Sequence, residues 1–291
     1  MTATGGVDGI RRVSIVGAGV MGSGIAELAA GHGLDVVLVA RDQDRARQAR
    51  ERIEARVRRL TDRGTLVPAR GEELLARIDA SSNGVEATRG ADVVIEAVPE
   101  VVDVKRRVFA ALDRALAPTA LLASTTSTIP ITLLAQATAR PDRVLGMHFF
   151  NPAPVVEGVE LVRGAATSDD TLARGMAFAR KLGRTPVVAR DRTGFITSRL
   201  IHPYLNEAAH AVMDGNAPVD VDAAMVHCLR MPMGPCALMD LIGIDVILAC
   251  LESLQHEYGE RFMPAPLLRH MVAAGHLGRK SGRGFHDYSS S

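Results

Sequence analysis

His148 stands near the end of the apolar run RVLGMHFF, at a position where a buried strand ordinarily carries an aliphatic side chain. A histidine on a strand is by itself more often a packed, hydrogen-bonded residue than a catalyst. The residues after it change that reading. Asn151 to Pro154 spell NPAP, whose prolines impose an extended turn. Glu160 then stands in an otherwise apolar run, where an ionised carboxylate needs a partner. If the chain returns after the turn, that carboxylate meets the imidazole. An imidazole titrates near neutrality, and a carboxylate against one ring nitrogen selects a tautomer and stabilises the imidazolium, which equips the other nitrogen to take and return a proton.

A second constellation concerns phosphate. Gly17, Gly19 and Gly22 form G-x-G-x-x-G in GAGVMG, directly after the β-branched run RVSIV and at the start of an Ala-rich helical stretch. Gly17 permits the tight turn, Gly19 lets backbone approach a pyrophosphate, and Gly22 lets helix and sheet pack closely. The helix opens at Val20 and Met21, and its N-terminal amides face the phosphates. An isolated match is often a surface glycine turn; the strand before it and the helix after it favour a dinucleotide site. The end of the second strand reads Val39, Ala40, Arg41, Asp42, and Ala40 takes the place of the acid that binds an adenosine ribose 2′-hydroxyl. A small residue followed by Arg41 leans toward NADP over NAD, while Asp42 keeps NAD open through a small backbone shift.

The elements that must position these groups alternate. Arg12 to Arg41 reads strand, helix, strand, and Asp42 to Arg63 reads as an exposed charged helix. Strand-like runs recur at ADVVIEAV, ALLAS, RVLGMHFF, VELV and TPVVA, with helical stretches such as Val101 to Leu116 and Asp169 to Leu182 between them. After Asp191 the apolar spacing is helical throughout: Gly194 to Met213, Asp220 to Cys228 and Cys236 to Leu254. The expected fold class is α/β, a Rossmann-like dinucleotide-binding domain over 1–191 with a mostly parallel sheet, followed by an all-helical C-terminal domain over 192–291.

Composition excludes several classes. The 291 residues are 47% hydrophobic and 23% charged, and 34 basic against 33 acidic side chains leave a net charge of +1. Such a chain has no global field to draw it to nucleic acid or to an anionic membrane, and 3% aromatic content offers few stacking platforms. Cys228, Cys236 and Cys250 contain no C-x-x-C pair, so no metal site is expected. The opening MTATGGVDGIRR has no apolar core of the kind a signal peptide requires, and the expectation is a cytoplasmic protein.

Several motifs in order, GAGVMGSGIA, VIEAVPE, the Ser/Thr segment ending in Ser127, HFFNPAPV, GFITSRL, PMGPCALMDLIGID and GRKSGRGFHDY, make the chain resemble the short-chain 3-hydroxyacyl-CoA dehydrogenase family end to end, including its 3-hydroxybutyryl-CoA type. The resemblance implies hydride transfer between NAD(P) and C3 of a 3-hydroxyacyl thioester. It makes His148 the base, Glu160 its orienting carboxylate and Ser127 a hydroxyl near the substrate oxygen and the nicotinamide. It puts Asn151, Glu100, Lys105 and Lys280 around the cofactor, with Asn151 and Ser198 also toward the substrate, and it implies a homodimer whose helical domain closes over the substrate. Ser127 alone would pass for a capping hydroxyl, and Lys280 for a solvated tail charge. Three positions depart from the family pattern: Ser198 and Thr125 replace asparagines, and Ala237 replaces an acid. Preserved chemistry with altered substrate recognition or rate is the consequence expected.

Nine arginines from Arg41 to Arg63 alternate with Asp44, Glu51, Glu54 and Asp62. Such mixing usually means a solvated helix face with i,i+4 pairs. The alternative sets Arg58 and its neighbours against coenzyme A phosphates or an acidic carrier helix. Two rival functions stay open on sequence alone: the same chemistry on an acyl-carrier-protein thioester, and a non-catalytic nucleotide-binding structural or sensing protein on the same fold.

Overall fold

The computed structural model describes residues 9–289. The first eight residues of the opening stretch and the last two serines lie outside the described residues. The chain divides into two compact units, the first ending at Asp191 and the second starting at Arg192.

The first unit is built on β1 (Arg12–Val16), β2 (Asp35–Val39), β3 (Ile78–Ser81), β4 (Val93–Glu96), β5 (Leu121–Ser124), β6 (Val144–Phe149), β7 (Gly158–Arg163) and β8 (Thr185–Arg190). They form one sheet in the order β3-β2-β1-β4-β5-β6-β7-β8, parallel throughout except for the antiparallel β6 and β7 pair. The direction of strand order reverses between β1 and β4, the switch point at which open α/β sheets bind ligands beyond the carboxyl ends of their strands. Because helices cover both faces, the central strands are buried on both sides: all four residues of β4 and of β5 are buried, apolar except for Glu96 and Ser124 at their carboxyl ends.

Helices α1 (Val20–Gly31), α2 (Gln43–Asp62), α3 (Pro68–Ala76), α4 (Val102–Ala115), α5 (Ile131–Ala135) and α6 (Asp169–Lys181) connect the strands. The charged segment forms α2, capped by the Asp42 carboxylate, which accepts from Arg45 N at 2.8 Å. Ala46, Ala49, Ile53 and Val57 give α2 a single buried seam, and its outer face carries pairs such as Arg50 with Glu54 at 2.7 Å. The solvated-face reading therefore holds for much of this helix. The sequence pattern did not anticipate α3 or β3. IDAS is four residues long with two polar positions, and it sits at the sheet edge where apolar alternation is not required.

In the second unit, α7 (Thr197–Met213), α8 (Pro218–Ala223), α9 (Pro235–Ile242), α10 (Ile244–Tyr258) and α11 (Pro266–Ala273) pack around Leu205, Met239, Ile247, Leu251 and Leu268. The apolar run from Cys236 to Leu254 is two helices, not one. Gly243, at φ 107°, lies where side-chain-bearing residues are strained, and it turns the chain between α9 and α10. Ala224–Cys228 continues α8 as a π-helical turn. The tail after α11 departs from a purely helical unit: it makes two isolated β-bridges and is tied down by the buried Asp240 carboxylate, which accepts from Phe285 N and His286 N at 2.9 Å. Among the described residues no helix is long and apolar enough to cross a membrane, and no group of three His, Cys, Asp or Glu side chains is placed to hold a metal.

Candidate active site

Strands β6 and β7 put the histidine and its carboxylate face to face. The NPAP turn reverses the chain, and the antiparallel register then pairs His148 directly with Glu160. Their side chains lie 2.7 Å apart, Nδ1 to Oε2, with His148 5% and Glu160 2% exposed. A carboxylate only accepts, so this contact puts a proton on Nδ1 and leaves Nε2 as the acceptor of the neutral ring. Nε2 in turn lies 3.1 Å from Ser127 Oγ, whose hydroxyl donates to it. Phe150 packs on the imidazole with ring centroids 4.5 Å apart. The three residues form one hydrogen-bonded line, hydroxyl to imidazole to carboxylate.

Ser127 sits in the loop between β5 and α5, and the loop is organised by carboxylates. Glu100 Oε1 accepts from Ser127 N at 3.0 Å, from Thr128 N at 3.1 Å and from the hydroxyls of Thr126 and Thr128. Glu96, at the end of β4, accepts from Ser124 Oγ at 2.6 Å and Val98 N at 2.7 Å. Between the two carboxylates lies Lys105 Nζ, 2.7 Å from Glu96 and 3.2 Å from Glu100. Burial pushes the Glu96 carboxyl above the usual carboxylate range, against the charge of Lys105. Burial acts in the same direction on Glu100, but Lys105 and the loop donors outweigh it and hold that carboxyl below the usual range. Lys105, expected around the cofactor, has a side chain that is 1% exposed, with its ammonium against Glu96, Glu100 and Val98 O.

The glycine turn fits a dinucleotide. A Cβ on Gly17 would lie 2.3 Å from Ala97 O, and one on Gly22 1.8 Å from Gly17 O, so both positions require glycine for close packing. Gly19 is different: a Cβ there would meet nothing within 4 Å, which leaves its backbone open to an approaching ligand. Gly19 caps α1 without a side-chain acceptor, so the amides beyond it, at Val20 and Met21, face outward uncapped. At the end of β2, Ala40 is buried, and the Arg41 side chain is 75% exposed and donates to Asp42 Oδ2 at 3.1 Å. Asp42 is committed as the cap of α2, which argues against a backbone shift that would take its carboxylate to a ribose.

Beside α1 and α2 lies a cleft of about 290 Å³ lined by Ser23, Glu27, Arg52, Arg56, Arg59 and Asn151. Ser23 Oγ is buried beside it without a hydrogen-bond partner. Arg56 donates to the buried Glu27 at 2.8 Å, and burial raises the Glu27 carboxyl despite that contact. Arg58, expected to face the substrate, is exposed on α2 and is not among the residues lining this cleft, to which α2 contributes Arg52, Arg56 and Arg59. Lys280 is likewise engaged elsewhere, its ammonium held by the Asp245 carboxylate in the second unit. Ser198 is buried in the first turn of α7. At Ala237, where an acid is absent, the start of α9 is held by Asp222, which accepts from Cys236 N and Ala237 N.

Family models settle the lineage. The model described as 3-hydroxyacyl-CoA dehydrogenase, NAD binding domain, matches residues 12–192, and the C-terminal domain model of the same enzyme matches 194–288. The chain belongs to the 3-hydroxyacyl-CoA dehydrogenase family. Among its relatives, the probable 3-hydroxybutyryl-CoA dehydrogenase of Bacillus subtilis is 42% identical, over 96% of this chain and 98% of its own. The mitochondrial hydroxyacyl-coenzyme A dehydrogenase of Sus scrofa is 37% identical over 96% and 91%. The crystal structure of FadB2 from M. tuberculosis superposes with a TM-score of 0.93 at 42% identity, covering 96% of this chain and 99% of that one. Within this 3-hydroxyacyl-CoA dehydrogenase, Glu96, Ser124, Thr126 and Thr128 are site residues that the sequence reading missed. Glu96 had a signal, an acid within the apolar VVIEAV of the same kind that singled out Glu160. Thr125, where the family has asparagine, keeps a structural contact: its hydroxyl accepts from Phe149 N at 3.2 Å, next to His148.

Proposed function

We propose that the chain catalyses reversible hydride transfer between NAD(P) and C3 of a 3-hydroxyacyl-CoA, with short acyl chains of the 3-hydroxybutyryl type as substrates. The observation that carries this reading is the line from Ser127 through His148 to Glu160. In the oxidative direction Nε2 of His148 takes the proton of the C3 hydroxyl, and Glu160 stabilises the resulting imidazolium through Nδ1–H. Ser127 orients the substrate oxygen toward that nitrogen. In reduction the imidazolium returns the proton to the forming alkoxide. The bound dinucleotide supplies the hydride acceptor or donor. Val20, Met21 and the Gly17 to Gly22 turn would hold its pyrophosphate, and the arginine cleft, which Asn151 also lines, would receive the phosphates of coenzyme A. Purified protein with acetoacetyl-CoA should consume reduced cofactor, read at 340 nm; no turnover with NADH or NADPH would refute the proposal.

Cofactor preference follows from Ala40 and Arg41. With no acid at Ala40, a 2′-phosphate meets no repulsion, and the exposed Arg41 can leave Asp42 for it. The parent enzyme should prefer NADPH, and Ala40→Asp should shift the kcat/KM ratio toward NADH by about tenfold or more, a change of ~1.4 kcal/mol. A parent that works better with NADH would defeat this assignment.

The protein is further proposed to be a homodimer through its second unit, which exposes Leu200, Val219 and Leu229. Sedimentation equilibrium should return twice the chain mass; a single-chain mass at micromolar concentration would contradict it.

A further inference from the structure

We propose that Asp191, the residue that follows β8, is a positioning residue: by capping α5 it sets the Ser127 hydroxyl against Nε2 of His148. The inference rests on the functional reading above. It starts from a helix that its own sequence does not hold. The five residues of α5 are too few to be stable alone, and its N-cap, Pro130, has no side chain that accepts. The acceptor comes from far along the chain. Asp191 Oδ1 accepts from Ile131 N at 2.8 Å, and Oδ2 accepts from Thr132 N at 2.7 Å. Thr132 Oγ1 donates to the same carboxylate and accepts from Ala165 N at 2.9 Å, just beyond β7.

What this cap fixes is Ile131, which is fully buried against the strands that carry the histidine and its carboxylate. A Cβ on Gly146 of β6 would come within 2.9 Å of Ile131 Cδ1, and one on Gly164 within 3.2 Å of its Cγ2. Gly146 pairs with Val162 as His148 pairs with Glu160, two residues along each strand, so these positions share one face of the sheet. On the other side of Ser127, the Thr125 hydroxyl accepts from Phe149 N. The Ser127 segment is therefore tied to β6 both before and after its serine, by Thr125 at Phe149 and by Ile131 at Gly146. Glu100 gathers the amides of Ser127 and Thr128 from the loop after β4, and that contact does not measure a distance to β6. Little slack separates Ser127 from Ile131, because Thr128 and Ile129 are buried and Pro130 has a fixed φ. Without the carboxylate two amides lose their acceptor and Ile131 is free to lift from its seat. A displacement of the Ser127 hydroxyl by about 1 Å is enough to cost up to ~10² in rate. An Asp191 that only staples the β8 edge of the sheet predicts something else, lower thermal stability with kcat retained.

The test is a double-mutant cycle between Asp191→Ala and Ser127→Ala. Its readouts are acetoacetyl-CoA turnover, NADH affinity from fluorescence titration, thermal unfolding, and the ¹⁵N resonance of His148 Nε2 in the cofactor-free protein. Asp191→Ala should lower kcat by about 10 to 10²-fold and leave the NADH Kd within ~3-fold. Asp191→Asn, which keeps one acceptor oxygen, should fall between Asp191→Ala and the parent. In the Ser127→Ala background Asp191→Ala should change kcat by less than ~2-fold, and in the Ser127 protein it should move the Nε2 resonance toward its position in Ser127→Ala. A kcat within ~2-fold of the parent beside a lowered Tm would make Asp191 a staple and overturn the proposal, as would an undiminished kcat loss in the Ser127→Ala background. If Asp191→Ala does not fold, Asp191→Asn enters the same cycle, and an unmoved Nε2 resonance with unchanged kcat overturns the proposal there. A parent inactive on acetoacetyl-CoA would refute the functional reading instead; the resonance would still decide whether Asp191 positions Ser127.

Discussion

His148→Gln should leave the fold and NADH affinity intact and lower kcat by about 10² to 10⁴, the range contributed by a positioned general acid and base. Glutamine nearly fills the ring's volume and can still donate to Glu160, so the buried carboxylate keeps a partner. It has no nitrogen that takes a proton near neutrality, and the residual rate reports what orientation and the cofactor achieve unaided. Thermal unfolding and fluorescence titration of NADH check the first half of the expectation, and steady-state kinetics the second. Turnover within a few-fold of the parent would remove His148 from the mechanism.

Glu160→Gln should cost about as much, roughly 10² to 10⁴ in kcat, for a different reason. The carboxylate opposite Nδ1 accepts only, whereas a glutamine amide can donate to Nδ1 and thereby drive the proton to Nε2. The nitrogen that faces Ser127 would then be protonated before the substrate arrives. Neutralising the acid that orients a catalytic histidine has an effect of this size in the Ser-His-Asp arrangement. The variant should be most impaired in the oxidative direction, where Nε2 must begin empty, and less so in reduction. Equal loss in both directions with a large fall in thermal stability would point to damage in the sheet between β6 and β7.

Much of this site is legible in the amino-acid sequence because its parts are local. His148 and Glu160 lie on strands joined by one turn, so reversal of the chain and the two-residue period of strands suffice to bring them together. GAGVMG likewise carries its own context, a strand before it and a helix after it. Other groups depend on packing that sequence order does not encode. Lys105 belongs to a helix, and only the seating of that helix against β4 decides that its ammonium turns inward to Glu96 and Glu100. Arg58 and Lys280 are long cations with several acids in reach, and helix phase in one case and the local Asp245 in the other settle where each points. Asp42 is ambiguous in sequence for a similar reason. A carboxylate after a strand can serve a ribose or cap the next helix, and here it caps α2.

The reaction itself can be followed atom by atom. Acetoacetyl-CoA incubated with NADPH or NADH carrying deuterium at the transferable position of nicotinamide C4 should yield 3-hydroxybutyryl-CoA one mass unit heavier, with the label on C3, and His148→Gln should slow its appearance without moving the label. No reduced product with either cofactor, or a product whose C3 hydrogen comes from water, would contradict direct hydride transfer at the site formed by Ser127, His148 and Glu160.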